Sequence, residues 1–252
     1  MDIYMAPANY RPAARLLQGR NILVTGAGDG IGRVAALTYA AYGATVILLG
    51  RTGSKLEAVY DEIERAGGAR PAIVELDLAV ATEDNFSHLA GSLAQEFDHL
   101  DGLLHNAGLL GERRPIESAG YTAWREVMQV NVDAQFLLTR GLLPLLQAAN
   151  NASVIFTSSG VGRRGRAYWG AYSVSKFATE GLAQVLADEL ENTSRIRVNC
   201  VNPGPTNTAM RRTAYPAENP TDNPDPIALM PTYLFLMGDD SLGVNGRSFN
   251  AQ

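Results

Sequence analysis

Residues 21–32, NILVTGAGDGIG, read in two halves. Asn21 to Thr25 is a short apolar run with strand character. From Gly30 to Tyr42 the apolar residues Ile31, Val34, Ala35, Leu37 and Tyr39 recur at helical spacing. Between the halves, Gly26, Gly28, Gly30 and Gly32 crowd the turn from strand to helix. Glycine there permits a tight turn and lets a pyrophosphate come close to the backbone, its charge stabilised by the helix N-terminus. Glycine is common in this chain, 25 of 252 residues, so the spacing alone carries little weight. Its place after a strand and ahead of a helix gives it meaning.

The same alternation continues along the chain. Thr45 to Leu49 is fully apolar, as expected of a strand buried on both faces of a parallel sheet. A helix over Lys55–Ala66 ends at Gly67-Gly68, and a strand over Ala72–Leu76 follows. Further on come helix Glu83–Phe97, strand Asp101–His105, helix Tyr121–Leu138, strand Ser153–Thr157, helix Tyr172–Leu190 and strand Arg195–Val201. Repeated βα units predict an α/β fold: a single doubly wound parallel sheet, Rossmann-type, with helices on both faces. Ligands of such sheets bind beyond the carboxyl ends of the strands.

Composition narrows the function. With 46% hydrophobic residues the chain can bury a large core, and its length suits one domain. The net charge of −5 argues against nucleic-acid or anionic-membrane partners. One cysteine, Cys200, excludes an intrachain disulfide and suggests a reducing compartment. One thiol and three histidines leave no Cys/His metal cage, so no metal site is expected. Residues 1–20 hold no apolar signal core, and no apolar run approaches the ~18 residues of a membrane span. The expectation is a cytoplasmic protein with an N-terminal extension over 1–19 and a single domain over 20–252. Seven of the 12 prolines fall within Pro203–Pro231, so residues 205–231 are expected to form a substrate lid.

Lysine is scarce: Lys55 and Lys176 stand among 21 basic residues. Lys176 lies four residues after Tyr172 in a helical pattern, which puts both on one face. Chance yields a Tyr-x-x-x-Lys about 0.08 times in a chain of this composition. Upstream, Ser159 follows the strand that ends at Thr157, which places its hydroxyl on the ligand-binding rim. A phenol with its ordinary pKa of about 10 is a poor proton-transfer group, and a nearby ammonium favours the phenolate. Ser159 can donate to a carbonyl oxygen on which charge develops.

At the end of the second strand, Gly50 offers no carboxylate for a ribose 2′-hydroxyl, and Arg51 is placed to pair with a 2′-phosphate. The other reading of Arg51 is a solvated strand-end arginine, and Asp29 adds an opposing charge in the loop. On balance the residues favour NADP over NAD.

Together these motifs resemble the short-chain dehydrogenase/reductase family from Arg20 to Phe249. They run in family order: Thr25-Gly26 with Gly30 and Gly32, Asp77, Asn106-Ala107-Gly108, Asn131, Ser159, Tyr172 with Lys176, and Pro203-Gly204. The segments around Asn131 and Tyr172 and the C-terminal LFLMGDDS are similar to the YciK-type bacterial oxidoreductases. The resemblance implies an NADP(H)-dependent oxidoreductase acting on a carbonyl or secondary alcohol. Tyr172 would be general acid or base, Lys176 would lower its pKa and hold the nicotinamide ribose, and Ser159 would hold the substrate oxygen. Asn131 would bend its helix and hold a relay water. Gly26, Gly30, Ile31 and Gly32 would cradle the cofactor, Asp77 and Leu78 its adenine, and Asn106, Ala107 and Gly108 its ribose. Pro203, Gly204, Thr206 and Thr208 would grip the nicotinamide. Homodimers or homotetramers are implied as well. The family often has a second asparagine before Asn106; here it is His105, to which no role is assigned.

Three arginine clusters follow strands four to six: Arg113-Arg114, then Arg163, Arg164 and Arg166, then Arg211-Arg212. They either focus positive potential on an anionic substrate or are solvated and paired locally, Glu112 and Glu117 being near. A rival to the enzyme reading is a catalytically silent NADP(H)-binding sensor or regulatory protein.

Overall fold

The strand–turn–helix at residues 21–41 is the first βα unit of a parallel sheet. The computed structural model describes residues 2–252. In chain order the strands are β1 (Ile3–Met5), β2 (Asn21–Thr25), β3 (Thr45–Gly50), β4 (Ala72–Glu75), β5 (Gly102–His105), β6 (Ser153–Thr157), β7 (Arg197–Asn202) and β8 (Arg247–Asn250). The helices are α1 (Gly30–Ala41), α2 (Gly53–Arg65), α3 (Glu83–Glu96), α4 (Tyr121–Met128), α5 (Ala134–Ala148), α6 (Gly170–Leu190), α7 (Ala209–Ala214) and α8 (Met230–Met237). Strands pair in the order β1-β8-β7-β6-β5-β2-β3-β4, and every pair is parallel. Strand order reverses between β2 and β5, opening a crevice at their carboxyl ends.

Alternate residues of each strand feed two cores. On one face Leu23, Leu103 and Val154 meet α3, α5 and α6 through Phe86, Leu142 and Leu186. On the other, Ile22, Val46 and Ile155 meet α1, α2 and α8 through Tyr39, Val59 and Tyr233. Helices on both faces explain why β5 and β6 are buried at every position.

Several boundaries differ from the sequence expectation. The helix expected over Tyr121–Leu138 is interrupted by a π turn at Gln129–Asp133 and then runs on to Ala148, through Pro144. Strand β7 starts at Arg197 rather than Arg195, because the Ser194 hydroxyl takes the Ile196 N–H in a turn. Periodicity did not reveal β1, β8 or α8. β1 lies in the segment expected to be an extension, yet it pairs in register with β8. Three residues carry too short a pattern to read.

Candidate active site

The glycine turn is a backbone cradle. The Asp29 carboxylate caps α1 by accepting from the Gly30 N–H at 2.8 Å. Gly30 has a positive φ of 51°, and a Cβ on Gly32 would come within 2.2 Å of the Gly26 carbonyl oxygen. Only glycine lets α1 begin this close to the strand end. Thr25 ties the cradle to the crevice's other wall: its hydroxyl accepts from Asn106 N at 2.9 Å and Ala107 N at 3.0 Å.

From here a cleft of about 500 Å³ crosses the carboxyl ends of the strands. All the residues expected at the site line it except two, Gly32 and Asn131. Gly32 is shut out because it packs on Gly26. Asn131 is fully buried in the π turn and acts from behind the wall. Its Oδ1 accepts from Leu109 N at 2.7 Å, and its Nδ2 donates to Leu109 O and Ser175 Oγ, both at 2.9 Å. Both amide hydrogens are thereby used. The side chain pins the loop after β5 to α6.

One end of the cleft holds Gly50, Arg51, Lys55, Asp77 and Leu78. Arg51 is exposed and has no hydrogen-bond or ion-pair partner among the described residues. Asp77 shapes its own turn, accepting from Ala79 N at 3.0 Å. Lys55, to which no site role was assigned from the sequence, pairs with Asp29 at 2.5 Å and so neutralises the loop's opposing charge. The signal was its place one helical turn after Arg51.

At the other end are Ser159, Tyr172 and Lys176. Gly162 brings the turn after β6 against α6, where a Cβ would lie 2.7 Å from Lys176 Cβ. The Lys176 ammonium donates to Thr157 O at 2.8 Å and sits 5.6 Å from the Tyr172 ring centroid. Burial pulls its pKa down to about 8, against the opposing pull of Cys200 and Glu180. Burial pushes the Tyr172 phenol up to about 12, with its hydrogen bond to Ser159 acting the other way. Desolvation dominates at this phenol, so its pKa stands above the ordinary value even with the Lys176 ammonium close by. Pro203, Gly204, Thr206 and Thr208 close this end; Gln252 Nε2 holds the loop, donating to Pro203 O at 2.6 Å and Pro205 O at 2.8 Å. His105 is a core residue, bonded to Thr139 at 2.7 Å, stacked on Phe156, and held neutral by burial with its pKa near 3.

A family model described as short chain dehydrogenase matches residues 20–219. The chain belongs to the short-chain dehydrogenases. It is 54% identical over 244 residues to the oxidoreductase YciK of Escherichia coli (strain K12), covering 97% of this chain and 96% of that one. Among solved structures, a short chain dehydrogenase from Shigella flexneri complexed with NADP shares 54% identity at a TM-score of 0.93, covering 95% of this chain and 100% of that one. A second, from Escherichia coli CFT073 and complexed with NADPH, gives the same identity and TM-score over 96% and 100%.

For a short-chain dehydrogenase, the arginine clusters hold the main departure from expectation. Arg163 is no rim residue: it turns inward to Glu180 at 3.2 Å, Asn250 at 2.7 Å and Phe249 O at 3.0 Å. Arg211 is paired with Glu218 through two bonds of 2.6 Å, Arg114 with Glu112, and Arg212 with Asn207. Of the seven, Arg211 alone lines the cleft. Trp169, Leu110 and Met210 line it too, and sequence reasoning passed over them because apolar residues carry no spacing signal in a loop.

Proposed function

We propose that this short-chain dehydrogenase is NADP(H)-dependent and moves hydride between nicotinamide and a carbonyl or secondary alcohol, with Tyr172 as general acid/base. The observation that carries the reading is one cleft with a glycine cradle and an unpaired Arg51 at one end and half-buried Ser159 with buried Tyr172 and Lys176 at the other. The residues fit the cofactor. With no Cβ at Gly32, α1 begins against the strand end at Gly26 and its N-terminus faces the cleft at Gly28 and Gly30, where a pyrophosphate would lie, and Arg51 and Lys55 bring cations to the far end. The 54%-identical structures crystallised with NADP and NADPH support the same choice.

When bound, NADPH supplies a hydride to the carbonyl carbon and leaves as NADP⁺. Tyr172 and Ser159 donate to the carbonyl oxygen, and the Tyr172 proton transfers as charge develops there. A phenol at about 12 keeps its proton at neutral pH, which suits it as the acid of reduction. Lys176 places a cation beside the forming phenolate, and Asn131 positions Leu109 and α6 around it. Residues 205–231, with α7 and two short 3₁₀ turns, act as the lid, reaching the cleft through Thr206, Thr208 and Met210. The substrate carries negative charge, on the strength of Arg113, which sits on the cleft-lining Trp169 and has no carboxylate partner among the described residues. No helix among the described residues is long and apolar enough to cross a membrane. Exposed Phe136 on α5 and Val174, Phe177 and Val185 on α6 would be covered in a homodimer or homotetramer.

The test is NADPH oxidation against a panel of aldehydes and ketones, with Tyr172→Phe beside the wild type. The expected result is turnover that falls by at least about a hundredfold in the variant. Tight NADPH binding with no turnover of any carbonyl would return the sensor reading.

A further inference from the structure

Beside Tyr172 stands a layer of side chains that hydride transfer does not require. Trp169, 7% exposed, lies with its ring centroid 5.7 Å from that of Tyr172 and 5.9 Å from that of Tyr215. The exposed Arg113 is held between two of these rings, its Cζ 4.7 Å from the Trp169 centroid and 4.9 Å from the Tyr215 centroid. Two more guanidinium groups reach the same phenol ring. Arg211 stacks on it at 3.8 Å, and Arg166 donates to its hydroxyl at 2.8 Å.

The charges around this ring do not balance. Glu218 is committed to Arg211, and Glu112 to Arg114 at 3.3 Å. Neither Arg113 nor Arg166 has a carboxylate partner among the described residues. A second deficit lies in the indole: Trp169 Nε1 is buried and finds no acceptor. A buried donor without a partner is unfavourable until one is brought to it. Leu110, Met210 and Ala214 complete an apolar wall around these groups.

A guanidinium carried over two aromatic rings and without a hydrogen-bond partner has N–H groups free, and these match a planar carboxylate. We propose that Trp169, Arg113 and Tyr215 form the substrate-recognition subsite, and that the substrate is a carbonyl compound whose apolar body ends in a carboxylate. Its carbonyl oxygen meets Ser159 and Tyr172, its body lies against Met210 and Ala214, and its carboxylate accepts from Arg113 and from the indole N–H of Trp169. This assignment rests on the reading of Tyr172 as the acid of carbonyl reduction.

The experiment compares kcat/KM with NADPH for 4-carboxybenzaldehyde and 4-methylbenzaldehyde at low salt and at about 0.5 M salt. The carboxylate is expected to be preferred by about tenfold or more at low salt, and less at high salt. Arg113→Gln brings the ratio of the two substrates close to one, and Arg113→Lys restores part of it, supplying charge without the fork. A second readout is tryptophan emission of the NADP-loaded protein titrated with 4-methylbenzoate. Quenching is expected in the wild type, and it disappears in Trp169→Phe. Turnover of both aldehydes with equal kcat/KM and no quenching overturns the subsite alone. Carboxylate binding without turnover of either aldehyde overturns the assigned reaction and, with it, the substrate role.

Discussion

Lys176 bears a cation in a place that disfavours one. It is 3% exposed, it donates to a single carbonyl oxygen, and burial has lowered its pKa from 10.5 to about 8. Between those values the unfolded chain binds a proton that the folded chain does not, so this group adds stability as pH rises from about 8 to 10.5. Below pH 8 its full penalty stands. Lys176→Met should therefore be more stable than the wild type at pH 7, by on the order of 1–3 kcal/mol. The gap should narrow across pH 8–10.5, and urea unfolding of both proteins at several pH values measures it. A gap that does not change with pH would show that the charge is not what the fold resists. The pairing of Tyr172 with Lys176 was legible in the sequence because helical spacing is local. The neighbouring Trp169 was not, since its importance comes from Arg113 and Tyr215, distant in sequence and joined to it only by folding.

At the scale of elements, the arginines after β6 separate by partner. Arg163 binds Glu180 on α6, a side chain that is 4% exposed, and three groups of β8. Its removal strands a buried carboxylate, so Arg163→Met should cost roughly 3 kcal/mol of unfolding free energy. Arg164 is exposed, and Arg164→Met should change stability by less than about 0.5 kcal/mol. Chemical denaturation of the two variants decides it, and equal losses would refute the division. Sequence reading treated the cluster as one rim feature. It could see that the residues follow a strand, but not that Arg163 turns inward to α6 and β8. The break at Asn131 was expected from the family resemblance but not from periodicity, because the π turn there goes with Asn131 meeting both polar groups of Leu109 across the helix–loop boundary.

For the whole molecule, the reversal of strand order between β2 and β5 matters most, for it lays one cleft across glycine cradle, cation end and tyrosine. A ligand that spans these parts stabilises the folded chain in proportion to its occupancy. Under the proposed assignment, NADPH in large excess should raise the melting temperature by about 5 °C or more, and NADH at the same concentration by clearly less. Arg51→Ala should bring the two cofactors together. A thermal-shift series checks this, and equal shifts from both cofactors in the wild type would sink the 2′-phosphate role of Arg51.

By itself the sequence determined what is periodic or local: alternating strands and helices, the glycine turn, and tyrosine and lysine one turn apart on one face. These depend on neighbours within a few residues, and backbone sterics act at that range. Tertiary structure alone decided which charges are free. It neutralised Asp29 with Lys55, turned Arg163 inward to Glu180, left Arg51 and Arg113 without acidic partners, and raised the Tyr172 pKa by burial. The reason is physical: desolvation and pairing are set by what surrounds a group in space, and residues far apart in the chain supply most of that surrounding.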